Sequence, residues 1–155
     1  MSKVHIFRPV NFLANIFKTS DAPTTDQLIA DATVRVIKME DSIRTFVAEK
    51  IAIIEPFAEE TDEALDAAHQ TIGTSAMNIA EVAGAARMEA IGEIARGIAV
   101  MVDGKKARDV WHTEALRVHI RALKRLDTTA SETSDEDNLI AENLRLMRTA
   151  IGLQH

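Results

Sequence analysis

Between Thr24 and Ile54 the chain reads TTDQLIADATVRVIKMEDSIRTFVAEKIAII. Within it Ile29, Ala32, Val36, Met39, Ile43 and Phe46 recur at alternating spacings of three and four, and Val47, Ile51 and Ile54 carry the stripe onward. With 3.6 residues to a turn, that spacing predicts a single helix of about 30 residues bearing one apolar seam. Its start is written in Thr24-Thr25-Asp26-Gln27, a capping box in which the Thr24 hydroxyl satisfies a free backbone N–H and Gln27 reaches back. Pro56 ends it, because the residue before a proline is pushed out of helical geometry. A three-four seam of this length also raises a homodimer as one function class, since one monomer need not cover it all.

The same period continues downstream. Residues 55–66 hold six acids and no base, several of them at the start of a second helix, where carboxylates suit the positive end of the dipole. That helix, about 61–83, carries Leu65, Ala68, Ile72, Ala76, Ile79 and Ala83, a face of small residues that lets a neighbour come close. Gly84 reads as a break. A third helix, about 87–102, shows Met88, Ile91, Ala95, Ile98 and Val102, with Asp103-Gly104 as its closing turn. A fourth is expected over 112–126. After the polar DTTASETS, Ser134 and Asp137 cap a last helix with Leu139, Ile140, Leu144, Met147 and Ile151 on its apolar face. No segment alternates with period two, so no strand is expected. The fold class that follows is all-α: an antiparallel bundle of four or five helices over 23–155.

Upstream, residues 1–22 form an apolar N-terminal arm with Phe7, Phe12 and Phe17 among Val4, Ile6, Val10, Leu13 and Ile16, and a small positive balance. It is expected to lie across the bundle; docking elsewhere is the other reading.

Composition limits what such a chain does. It has 155 residues, 46% hydrophobic and 27% charged, with a formal charge of −6, which suits one folded domain and excludes wholesale disorder. No apolar run approaches the ~18–20 residues of a membrane span, and no signal-peptide pattern opens the chain. A membrane partner is not expected. The lack of cysteine removes disulfides, thiolate metal sites and cysteine nucleophiles, and fits a cytoplasmic protein. One Trp, no Tyr and a net acidic charge argue against nucleic acid, which needs stacking faces and cations.

The clearest charge asymmetry is in 105–125, with seven bases against two acids. Arg117, Arg121, Lys124 and Arg125 fall on one arc of the fourth helix. They form a candidate ridge for an acidic protein partner, or a solvated face that balances the acids at 55–66 or 127–137. Leu116, Ile120 and Leu123 centre the opposite apolar face, and His119 lies within it, so a buried neutral histidine is expected there. Asp66-x-x-His69 and Asp109-x-x-His112 have the spacing of di-metal carboxylate bundles. Both use the short Asp, however, and no inward Glu completes the set, so no metal and no cofactor are expected. Nucleophile–base pairs and glycine-rich phosphate loops are absent, which points away from an enzyme.

Two resemblances go further. In AHQTIGTSAMNIA, His69 and Gly73 stand as in histidine phosphotransfer domains, with Ile72 where those have Lys. The implied alternative function is a phosphotransfer protein with His69 as phosphoacceptor. Residues 78–126, with Ala83-Gly84, Trp111, Val118-His119 and Ala122-Leu123, resemble the small alphaproteobacterial CheE proteins of chemotaxis gene clusters. That resemblance implies a non-enzymatic binding or adaptor protein of bacterial chemotaxis or two-component signalling, and a receiver domain with its acidic pocket as a partner.

Overall fold

The computed structural model describes residues 23–108, 111–126, 128 and 133–153. The apolar arm at 1–22 and Asp109 lie outside them. Five α-helices follow one another: α1 Thr25–Ile54, α2 Asp62–Val82, α3 Glu89–Arg108, α4 Thr113–Arg125 and α5 Asp135–Ala150, with 3-10 turns at Glu55–Ala58 and Ala83–Ala86. Among the described residues there is no strand. The protein is all-α.

The caps appear where the sequence places them. Gln27 N–H donates to Thr24 Oγ1 at 3.3 Å, and Thr24 N–H donates to Gln27 Oε1 at 2.8 Å. Ser134 and Asp137 form a second reciprocal capping box, at 3.1 and 3.2 Å. Thr61 caps α2 through its hydroxyl. These bonds satisfy N–H groups that have no partner within the helix.

Two compact units divide the chain, 1–37 and 38–155, with the boundary inside α1. The described part of the first is the capped start of α1, and every residue from 23 to 37 is exposed. The second holds the core. There α3 packs against α2, α4 and α5, and Ala90, Ile91, Ile94, Ala95, Ile98, Ala99, Met101 and Val102 are all buried. Glu89, Glu93, Arg96 and Asp103 form a narrow polar stripe along it, and the broad apolar arc that remains suits a helix packed on several sides. The small face of α2 allows close approach, since a methyl group on Gly73 would come within 2.7 Å of Val102 Cγ1.

One segment differs from the sequence reading. Asp103 and Gly104 are helical, because α3 runs on to Arg108. A glycine costs a helix roughly 1 kcal/mol relative to Ala; here Gly104 is buried, and the next residue, Lys105, is tied to Asp66 of α2, so packing carries the helix past it. At the other break Gly84 falls, as the sequence indicates, in the 3-10 turn Ala83–Ala86, and the turn closes at Arg87, whose φ of 58° is left-handed. Arg44 of α1 steadies this corner. Its guanidinium donates to Ala86 O at 2.6 Å and to Thr128 O at 3.2 Å.

Candidate functional site

Helix α4 is the most strongly two-sided element. Leu116, His119, Ile120 and Leu123 are buried, spaced so that they share one face. The four bases of the ridge fall on the other side, and three of them meet acid there. Arg117 donates to Asp62 Oδ1 at 2.6 Å, to Glu114 Oε1 at 2.6 Å and to Glu60 O at 2.8 Å. Arg121 grips both carboxylate oxygens of Glu59. Lys124 Nζ lies 2.5 Å from Glu55 Oε1. Three bases of the ridge thus face three acids of the Glu55–Asp62 segment, paired in opposite chain order.

The electrostatics follow. Hydrogen bonds from Arg121 hold the Glu59 carboxyl below its usual range, and those from Arg117 do the same for Asp62. The bases respond in the opposite sense: Asp62 raises Arg117, Glu59 raises Arg121, and Glu55 raises Lys124. The sequence reading placed Arg117 in solvent, yet its side chain is only 11% exposed, laid flat across the start of α2. Arg125 has no ion pair among the described residues.

Beside this strip lies an apolar groove of about 310 Å³ between α4 and α5, lined by Val118, Arg121, Ala122, Arg125, Ile140, Asn143 and Leu144. Val118, which belongs to the apolar arc of α4, is 40% exposed here. The groove has an apolar floor with two guanidinium-bearing residues on its α4 wall. It is invisible in either helix alone.

His119 is fully buried, as its place in the apolar arc implies, and its Nδ1 lies 2.8 Å from Ala115 O. Desolvation pushes its pKa down to about 4, with the nearby Arg148 cation acting in the same direction. Arg148 on α5 is buried too and donates to Glu93 Oε1 of α3 at 2.6 Å. Both side chains of this cluster keep an unpartnered buried atom, His119 Nε2 and Arg148 Nη1. The Glu93–Arg148 pair was not anticipated from sequence, although the signal exists: Ala141, Leu144 and Arg148 share one helical face.

His69 on α2 is half-buried, and its Nδ1 lies 2.6 Å from Asp66 O. Ile72, at the position of the phosphotransfer Lys, is fully buried, and Gly73 faces Val102 of α3. The two residues that would serve a phosphoacceptor are therefore both occupied in helix packing. Lys105 pairs with Asp66, and its ammonium lies 4.8 Å from the centre of the Trp111 ring. Among the described residues no group of three or more His, Asp and Glu is placed to hold a metal ion, and no helix is long and apolar enough to cross a membrane.

No protein-family model, curated protein or solved structure matches the chain.

Proposed function

We propose that the chain is a non-enzymatic helical binding protein that docks an acidic, amphipathic surface of a partner in the groove between α4 and α5. The observation that carries this reading is the apolar groove floor formed by exposed Val118 with half-buried Ala122 and Ile140, beside Arg121 and Arg125. An apolar patch flanked by cations suits an occupant with the reverse pattern, apolar residues edged by carboxylates. Arg125 has the larger part in recognition, because Arg121 already serves Glu59. The resemblance of residues 78–126 to CheE supports a place in bacterial chemotaxis or two-component signalling, with a receiver domain as partner.

The test is retention of purified receiver domains on the immobilised full chain. At least one is retained by the natural chain, and Val118→Glu, which sets a carboxylate on the groove floor, weakens that retention tenfold or more while leaving the circular dichroism spectrum unchanged. Retention of none, or retention that Val118→Glu leaves intact, overturns the reading.

A further inference from the structure

We propose that the exposed start of α1 is a coiled-coil seam that pairs, parallel and in register, with the same seam of a second copy of this chain.

Three observations on one helix support it. The first is exposure. Ile29 is 59% exposed, Val36 46% and Met39 51%, and Ala32 is exposed with them. Leu28, Val34 and Ile37 off the seam are equally exposed, but only the seam residues line up, and a continuous apolar stripe left in water over three turns is an unfavourable arrangement. The second is the kind of residue at each position. The residues one heptad apart, Ile29, Val36 and Ile43, are all β-branched, while the intervening seam positions hold Ala32, Met39 and Phe46. β-Branched residues at the first core position of each heptad favour two parallel strands.

The third is charge, which decides the orientation. Arg35 and Glu40 flank the seam on its two sides, five residues apart. In a parallel dimer that spacing sets each Arg35 against Glu40 of the other copy, twice over by symmetry. An antiparallel pairing that buries the same four seam residues would set Arg35 against its own counterpart, and Glu40 against Asp26, so the charged flanking pairs would all repel, while Thr33 would meet its own counterpart neutrally. Arg35 has no ion pair among the described residues. Glu40 lies 3.8 Å from Arg87, with its side chain 22% exposed. The seam gives out where α1 enters the core, at Val47, which is fully buried.

The absence of cysteine in the natural chain makes the test clean. In a parallel, in-register dimer, Val36 faces its own counterpart, at a separation a disulfide can span. The full-length Val36→Cys variant is therefore expected to become a covalent dimer under mild oxidation. Asp41→Cys, on the far side of the helix, is expected to stay unlinked. Sedimentation of the natural chain should give twice the 17.0 kDa monomer mass, and Val36→Asp should return it to one mass with its helicity unchanged. A natural chain that sediments as a monomer at tens of micromolar overturns the proposal, whether residues 1–22 or a different protein then covers the seam. A dimer that Val36→Cys does not link, or that Val36→Asp leaves intact, overturns it equally, because the contact is then antiparallel or on another face.

Discussion

Arg121 holds Glu59 by two parallel hydrogen bonds, Nε to Oε1 at 2.9 Å and Nη2 to Oε2 at 3.0 Å. The planar fork of the guanidinium matches the carboxylate, so this pair fixes direction as well as charge. With Arg117–Asp62 and Lys124–Glu55 on either side, it ties α4 to the chain that leads from α1 into α2. The strong basic arc of the sequence is mostly an internal counterpart to the acidic run, and a smaller basic surface remains for a partner.

The first prediction concerns that strip. A double-mutant cycle on Glu59→Ala and Arg121→Ala, read from urea unfolding, should show a favourable coupling at low salt. Both side chains remain partly in solvent, so the coupling should shrink toward zero in 0.5–1 M salt, roughly where the Debye length falls to a few ångströms. Additive effects at low salt would mean that the strip contributes no pairwise attraction.

The second concerns acid. Burial holds His119 neutral, with a pKa near 4 against 6.5 for the free side chain. Between those values the unfolded chain binds a proton that the folded chain refuses, so stability falls as pH drops from about 6.5 to 4. It then levels off as far as this group is concerned. The shift corresponds to a loss of about 3 kcal/mol in order of magnitude. The carboxyls held low, Glu59, Asp62 and Glu142, act over a different window: their contribution is present above the unfolded carboxyl range and is lost as pH falls through their lowered values. His119→Gln should therefore flatten the limb between pH 6.5 and 4 and leave the more acidic limb in place. Equal pH profiles for the natural chain and His119→Gln would contradict this.

The third compares two glycines. A methyl group at Gly97 would overlap Arg148 Nη1 and come within 3.0 Å of His119 Cδ2. Both side chains are buried, and Arg148 is held by Glu93 through Nη2, so making room means moving that ion pair. Gly97→Ala should cost about 1–3 kcal/mol, the range for overpacking. A methyl at Gly84 meets nothing within 4 Å, so Gly84→Ala should be neutral or stabilise by up to ~1 kcal/mol, through the unfolded chain. Urea unfolding of both variants checks the contrast, and equal effects would show that the Arg148 cluster is not tightly packed.

The fourth uses the two faces of α4. Leu116→Ala and Leu123→Ala should each cost roughly 2–5 kcal/mol, since both leucines are at most 1% exposed and their removal leaves a cavity. Arg125→Ser should leave thermal unfolding nearly unchanged. A stability loss at Arg125 comparable to that at the leucines would place it in the packing and remove it from the groove's binding surface.

What the sequence made legible was local. Both capping boxes depend on residues three apart, Pro56 acts on its neighbour, and the buried face of α4 follows from angular spacing alone. What escaped depends on residues far apart in the chain. Nothing near Asp103-Gly104 reveals that Lys105 will meet Asp66 and that α3 will continue. The acids at 55–62 and the bases at 117–124 were both visible, but their pairing residue by residue needed the two segments side by side. The groove needed Val118 and Ile140 from different helices, and the fit of Gly97 to Arg148 likewise joins α3 to α5. Conversely, the seam of α1 was fully legible as a pattern, yet its first half is exposed and only Val47, Ile51 and Ile54 are buried. Periodicity reports which residues share a face and is silent on what covers it.

The most direct test of the binding account is a titration of the isotope-labelled full chain with a receiver domain it retains, followed by amide chemical shifts. The account predicts that the largest shifts fall on Val118, Ala122, Arg125, Ile140, Asn143 and Leu144, the residues along the groove, and that Val118→Glu abolishes them. Shifts centred on the half-buried His69 of α2, or on the exposed start of α1, with the groove unmoved, would contradict it.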